Sequence, residues 1–189
     1  MNKKTIILLT IIFFLTIASV FFWYTLQERK AQARFYLNFE GGEADIYLSN
    51  KKLDSPPIKD YLTPGGWYEL KIVTPNYTYT TPLRLSPQTA TIVDWKTGIN
   101  INHSSGIIYE LFPIESAASE LEINTLPDRA IVQLSNLTEK FFSPAFFDNL
   151  PPGEYNLNLN LPGYDAIDLP LTLHQSHRLK LTIKLAQSQ

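Results

Sequence analysis

An all-β fold is predicted by three features of the sequence: strict alternation of apolar and polar residues, prolines and glycines between the alternating segments, and an internal repeat. The 189 residues are 44% hydrophobic and 18% charged, a composition typical of one or two folded domains. The absence of cysteine excludes disulfides and thiolate chemistry. We therefore expect two small β modules in tandem, and an apolar run at the N-terminus predicts one transmembrane helix before them.

The clearest strand signal lies in residues 156–161, where asparagine and leucine alternate without a fault. Successive side chains of a strand point to opposite faces. Leu157, Leu159 and Leu161 are therefore predicted to face a core, and the asparagines to face water.

Tight turns are predicted beside this strand and at the matching place in the first half. Proline fixes φ at the value needed for the second position of a turn, and glycine accepts the positive φ required at the third. The residues assigned to these structural turns are Pro64, Gly65, Pro152, Gly153, Pro162 and Gly163.

Similar patterns predict strands throughout both halves, and no helical period persists beyond the N-terminal segment. The predicted strands of the first half are 34–39, 44–48, 68–73, 77–85 and 89–94. Those of the second half are 121–125, 130–134, 155–161, 167–173 and 179–185. Between the halves, residues 107–112 are a candidate extra strand.

An internal repeat relates the two halves. Corresponding pairs 88 positions apart are Leu62 and Leu150, Pro64 and Pro152, Gly65 and Gly153, and Leu83 and Leu171; those 87 apart are Tyr68 and Tyr155, and Pro75 and Pro162. Pro82 and Pro170 also correspond. Because proline cannot donate to a strand ladder, both of their strands are predicted to lie at or beside a sheet edge.

Residues 5–26 form an uncharged apolar run after Lys3 and Lys4, long enough for a helix to cross about 30 Å of hydrocarbon. The aromatic residues 21–24 have the composition of an interfacial belt. A cleaved signal peptide is the competing interpretation, since Ala31 and Ala33 form a small-x-small motif. The run exceeds the roughly 7–15 apolar residues of a signal peptide, which favours a retained signal anchor.

The distribution of charges favours one orientation in the membrane, with the N-terminus in the cytoplasm and the two modules outside it. Flanking charges on the two sides of the apolar run are nearly equal. Residues 35–189, however, carry 11 basic and 17 acidic side chains without a basic stripe. This argues against a nucleic-acid partner and against adhesion to an anionic cytoplasmic leaflet.

These observations divide the chain into seven segments. They are a cytoplasmic tail (1–4), a signal anchor at the cell membrane (5–26), a linker (27–33), a first module (34–96), a connector (97–118), a second module (119–186) and a short tail (187–189).

Both modules resemble PEGA domains. The second half matches the family pattern at Ala130, Ser143, Pro144, Leu150, Pro152, Gly153, Tyr155, Pro162, Gly163 and Tyr164. The first half matches at Ala44, Pro56, Leu62, Pro64, Gly65, Tyr68, Pro75 and Tyr77. The Pro-x-Gly-Ala turn that gives the family its name is incomplete in both halves. Residues 127–130 lack the glycine of this motif, and residues 41–44 lack its proline. The resemblance implies prealbumin-like sandwiches outside the membrane, and no chemistry.

No catalytic residue, metal site or cofactor is predicted, so the chain is not expected to be an enzyme. His174 and His177 have no third ligand in view and are interpreted as a solvated turn. Glu154, Asp165 and Asp168 are interpreted as a solvated strand face rather than paired catalytic carboxylates.

Aromatic residues are the only predicted binding features. Tyr61, Trp67 and Trp95 lie near predicted turns or strand ends, where exposed rings stack on sugars. The competing interpretation is that these rings cap a small core and keep one polar edge in water. Within 141–142 and 146–147, adjacent phenylalanines are expected on opposite faces, one of each pair in the core. The leading hypothesis is a structural or protein-interaction module at the cell envelope. The alternative is a binding module for envelope polysaccharide, which requires Trp67 and Trp95 to be exposed and coplanar.

Overall fold

The computed structural model describes residues 13–23 and 31–188. Residues 13–23 form a helix, α1, with exposed side chains. Within the two described ranges, no helix has the length and apolar character needed to cross a bilayer. The remainder of the predicted anchor, residues 5–12 and 24–26, lies outside the described part of the chain, as do the tail at 1–4, linker residues 27–30 and the last residue of the tail at 187–189.

The rest of the described chain is all-β, as predicted. Its strands are β1 (Gln32–Glu40), β2 (Asp45–Leu48), β3 (Lys51–Lys52), β4 (Ile58–Pro64), β5 (Gly66–Val73), β6 (Thr78–Leu85), β7 (Ala90–Lys96), β8 (Ser105–Pro113), β9 (Ser119–Leu126), β10 (Ile131–Leu134), β11 (Phe141–Phe142), β12 (Ala145–Leu150), β13 (Gly153–Asn160), β14 (Ile167–Leu173) and β15 (His177–Lys184).

These strands form one long sheet and two short ones. The long sheet has seven strands in the order β12-β9-β15-β8-β7-β1-β4. One four-stranded sheet has the order β3-β2-β5-β6 and the other β11-β10-β13-β14. The two halves therefore share a continuous sheet, with the connector strand β8 at its centre.

Two hydrophobic cores lie on opposite faces of the long sheet. Ile108 of β8 belongs to the first core, whereas Ile107 and Tyr109 pack against the second. Neighbouring residues of one strand point to opposite faces. The β2–β6 side of the first half and the β10–β14 side of the second half thus cover β8 from opposite directions.

Each core is built from alternating residues of the strands around it. The largest fully buried side chains of the first core are Phe35, Leu37, Ile46, Leu70, Ile72, Leu83 and Leu85. Those of the second are Leu121, Ile123, Leu134, Leu157 and Leu159. Leu157 and Leu159 therefore face the core as predicted, and Leu161 packs partly buried against it.

The strand directions give the two halves an approximate twofold symmetry about β8. β7 and β15 both pair antiparallel with β8, while β1 pairs parallel with β7 and β9 parallel with β15. The register also matches: Gly66 pairs with Leu85 and Gly153 with Leu173. Because Leu85 and Leu173 correspond in the repeat, Gly66 is the ladder equivalent of Gly153.

All eleven predicted strands fall on observed ones, including the candidate at 107–112. Pro82 and Pro170 lie in β6 and β14, which are edge strands as predicted. Missing from the prediction are β3, β4, β11 and β12. β3 and β11 are two residues long, while β4 and β12 break their alternation: each ladder has a register shift, and Asp60 and Asn149 have positive φ.

The turn predictions have different outcomes in the two halves. Gly153 and Gly163 have positive φ, at +154° and +84°. The described glycines with positive φ do not include Gly65. A Cβ at Gly65 would lie 2.5 Å from Cγ of Pro87, so this position needs glycine for space rather than for backbone conformation. Pro64 ends β4, Pro152 lies between β12 and β13, and Pro162 follows β13.

Replacing Gly153 tests the strain at the start of β13. Gly153→Val is expected to lower the free energy of unfolding by about 1–3 kcal/mol, because a β-branched residue resists φ of +154°. A Cβ there meets no atom within 4 Å, so the loss would come from the backbone alone. Denaturant unfolding of the full chain in detergent micelles measures it.

The matched control is Gly66→Val at the equivalent ladder position. Gly66 is not among the positive-φ glycines, and its nearest neighbour to a Cβ is Tyr68 Cε2 at 3.8 Å. This variant should unfold close to the parent. Equal midpoints for the two valine variants would contradict the assignment of backbone strain to Gly153.

Candidate interaction site beside Trp67

Trp95 lies in the first core, so the core-capping interpretation applies to it and the exposed ligand-binding ring does not. Its side chain is 3% exposed, and its ring lies 4.4 Å from that of Tyr79. Nε1 donates a hydrogen bond to the Tyr77 hydroxyl at 3.2 Å. Trp95 pairs across the ladder with Gly106, where a Cβ would come within 2.3 Å of the indole. The residue that reads as a strand-end aromatic thus fills a space left by a glycine on β8.

Tyr61 and Trp67 do not combine into one binding platform. Tyr61 lies on edge strand β4, half-buried against the first core, with Lys51 Nζ 5.1 Å from its ring centroid. Trp67 lies on β5 of the short sheet, on the face away from the core, and is 69% exposed. The coplanar pair of Trp67 and Trp95 required for polysaccharide binding is therefore absent.

Trp67 borders a cleft of about 540 Å³ between the short and long sheets. One wall is the edge strand β6, which contributes Thr81 and Pro82. The floor is the part of the long sheet at and beyond the edge of the β3-β2-β5-β6 sheet. It is formed by β8, β15 and β9, and includes Glu110, Lys180, Thr182 and Asn124.

The floor is a ladder of alternating polar groups. Glu110 pairs in register with Lys180, and Lys180 with Glu122. In the next row, Arg178 Nε donates to Glu120 Oε2 at 2.6 Å, and its guanidinium lies 5.1 Å from the Phe146 ring. Acidic and basic side chains therefore alternate across the three strands of the floor.

Glu110 fastens the cleft wall to its floor. The residue is 5% exposed, and Oε1 accepts a hydrogen bond from the Arg84 backbone N–H on β6 at 3.0 Å. Oε2 lies 3.5 Å from Lys180 Nζ. An edge strand leaves backbone donors without a strand partner. Glu110 supplies an acceptor to one of them and so links the short sheet to the long one.

Arg84 links the cleft to the exposed indole. Its guanidinium carbon lies 5.8 Å from the Trp67 ring centroid and 5.3 Å from that of Phe112. A cation beside an aromatic face is attracted by the ring quadrupole. Arg84 therefore lies between two aromatic rings that come from different sheets.

A second cleft, of about 400 Å³, occupies the equivalent place on the opposite face of the long sheet. Its floor includes Asn38 and Asp94, joined by a 2.6 Å hydrogen bond, and Ile167 of β14 stands at its wall. Tyr109 lies in the row beside Asp94. Burial, reinforced by the Asp94 carboxylate, raises the pKa of the Tyr109 phenol above its usual value.

The histidines and carboxylates considered as metal ligands or catalytic groups lie in turns and strands at the surface. His177 Nδ1 lies 2.8 Å from the Gln175 carbonyl in the turn between β14 and β15. Asp168 accepts a hydrogen bond from Asn158 at 2.7 Å. Among residues 13–23 and 31–188, no group of three or more histidines and acidic residues is arranged to hold a metal ion.

The paired phenylalanines divide between core and surface as predicted. Phe147 is buried and Phe141 packs half-buried against the second core, with ring centroids 4.9 Å apart. Phe142 and Phe146 are 64% and 53% exposed.

Sequence reasoning missed Glu110 and Arg84. Glu110 carried a signal, because a single carboxylate interrupts the apolar run 107–112 and a strand buried on both faces tolerates a charge only when it is paired. Arg84 carried none, since its ring partners come from β5 and β8.

No protein-family model matches the chain, and no curated protein is significantly similar to it.

Substitution of Glu110 tests its fastening role. Glu110→Ala leaves the Arg84 N–H and the Lys180 ammonium without their acceptor, and is expected to lower the free energy of unfolding by about 1–3 kcal/mol. Glu110→Gln retains a carbonyl acceptor for Arg84 and should lose less. Denaturant unfolding of both variants measures the difference. Alanine and glutamine variants of equal stability would contradict the role given to the Arg84 hydrogen bond.

Proposed function

We propose that this chain is a membrane-anchored, extracytoplasmic protein of PEGA-like modules, with a structural or protein-interaction role at the cell envelope. The observation that carries the interaction role is the uncovered half-face on each side of the long sheet, bordered by a cleft and an edge strand. Both modules are proposed to be prealbumin-like sandwiches because their sequences resemble PEGA domains.

The membrane anchor is supported by residues 5–26. The run is uncharged and long enough to span, and α1 presents exposed apolar side chains over residues 13–23, including Phe21, Phe22 and Trp23 at 63–69% exposure. Exposed apolar surface on this scale favours an apolar environment.

A binding role is supported by the engagement of Glu110 and Lys180, two ionisable residues that line the cleft. Glu110 contacts the Arg84 backbone N–H and Lys180, and in the neighbouring row Glu120 pairs with Arg178. These contacts hold sheets and strands together. Side chains held in this way provide a rigid charged surface, and such surfaces recognise partners of complementary charge.

Polysaccharide binding keeps one supporting observation, the exposed Trp67 at the rim of the polar cleft. A single ring offers one stacking position, and Arg84 already lies beside it. The protein-interaction role is therefore the better supported of the two.

Cysteine accessibility tests the proposed location. Since the chain has no cysteine, Lys140→Cys places one thiol at an exposed position of the second half. We expect a membrane-impermeant maleimide to label it in bacterial cells whose outer membrane has been permeabilised. The matched control is Ser119→Cys, a near-isosteric thiol at a fully buried position, which should react only after denaturation. Labelling of Lys140→Cys only after the inner membrane is lysed would contradict an extracytoplasmic body.

A further inference from the structure

The β part of the chain, residues 31–188, is called the body below. Hydrogen bonds at the start of β1 define the end of the long sheet that lies next to the N-terminal segment. The Gly65 N–H donates to the Ala31 carbonyl and the Gln88 N–H to the Gln32 carbonyl, both at 2.8 Å. The turn at residues 64–66 and the loop at 86–89 therefore surround the point where β1 begins. We call this the proximal end of the body, and the end where β1 finishes the distal end.

The chain leaves little distance between the proximal end and the apolar run. Residues 27–31 separate Leu26 from β1, and five residues reach at most about 17 Å. If residues 5–26 cross a bilayer, as the proposed function requires, the proximal end is held at its surface.

Trp67 stands at this end. It follows Gly65 by two residues, so its Cα lies within about 7 Å of the turn bonded to Ala31. It is 69% exposed, with the Arg84 guanidinium beside its ring. An indole flanked by a cation has an apolar body and polar groups that favour the headgroup layer of a bilayer.

The second half has no such residue at the equivalent position. Trp67 pairs with Arg84 in the β5–β6 ladder, and the matching pair in the β13–β14 ladder is Glu154 and Thr172. The exposed tryptophan thus belongs to the half that carries the N-terminal segment, whereas its symmetry equivalent is a carboxylate.

The two ends also differ in charge. Among the described connections, those at the distal end carry four carboxylates and one arginine: Glu43, Asp54, Asp128, Asp165 and Arg129. Those at the proximal end carry two carboxylates and one lysine: Glu115, Glu139 and Lys140. Anionic lipid headgroups repel the more acidic end more strongly.

We propose that Trp67 and its turn rest in the headgroup layer of the membrane that anchors the chain, so that the body stands with its strands along the membrane normal and its acidic distal end outward. The inference rests on the proposed membrane anchor. It gives the protein a second membrane contact, which sets the direction in which its two clefts face.

A depth measurement tests the contact on the full chain. Single cysteines at Gly66, Glu43 and Trp23 would be labelled with an environment-sensitive fluorophore and reconstituted in vesicles of phosphatidylcholine and phosphatidylglycerol. Gly66→Cys keeps Trp67 in place, and its Cβ has room, with Tyr68 Cε2 at 3.8 Å. Glu43→Cys lies at the exposed distal end, and Trp23→Cys reports on the anchor.

We expect headgroup-attached nitroxide lipids to quench the label at Gly66 severalfold more than the label at Glu43, and acyl-chain nitroxides to quench the label at Trp23. Adding Trp67→Ala to Gly66→Cys should remove most of the headgroup quenching, and Trp67→Phe should retain part of it. Circular dichroism of each variant verifies that the β fold is intact.

Each alternative outcome overturns a distinct statement. Quenching at Trp23 with equal, weak quenching at Gly66 and Glu43 would refute the Trp67 contact while leaving the anchor in place, and would free Trp67 for a saccharide or protein ligand. Strong quenching at Gly66 that survives Trp67→Ala would refute the role of the indole. Absence of quenching at Trp23 would refute the anchor and, with it, the proposed function.

Discussion

The rest of the structure depends on the burial of β8 from both sides. Ile107, Ile108 and Tyr109 are consecutive apolar residues, and a strand that places them on alternating faces needs apolar cover above and below. The two short sheets supply that cover from opposite halves of the chain. Neither half can hide both faces of β8 alone, so the strand is stable only when both halves are folded around it.

The same arrangement creates the candidate interaction surfaces. Each short sheet covers one face of its own half and ends at an edge strand near β8, so the other half of that face stays open. Beside one of these open areas, Glu110 accepts a hydrogen bond from the exposed edge of β6 and so joins that edge to the long sheet. In the open area on the opposite face, Asn38 and Asp94 form a hydrogen-bonded pair. Two clefts facing opposite directions follow from this topology.

The sequence predicted the strands whose alternation is regular and the edge positions of Pro82 and Pro170, because these depend on local periodicity and on the missing N–H of proline. It did not predict the shared sheet, since pairing between β7, β8 and β15 is set by contacts distant in sequence. It left Trp95 open between a core position and an exposed ring, because position near a strand end does not reveal the space above Gly106. Trp67 was identified, but Arg84 and Glu110, which define its surroundings, come from other strands.

The most direct test of the account is whether the two halves unfold as one unit through β8. Leu70 and Leu157 are fully buried, lie in opposite cores and occupy corresponding strands, so Leu70→Ala and Leu157→Ala form a matched pair, each expected to cost about 2–5 kcal/mol. Amide hydrogen exchange of the full chain in detergent micelles, analysed peptide by peptide, follows each half separately. If β8 couples the two halves, Leu157→Ala lowers protection from exchange in β1 and β7 as well as in β9 and β15. Leu70→Ala likewise lowers protection from exchange in β9 and β15 as well as in β1 and β7. Loss of protection confined to the half that carries the substitution would contradict it.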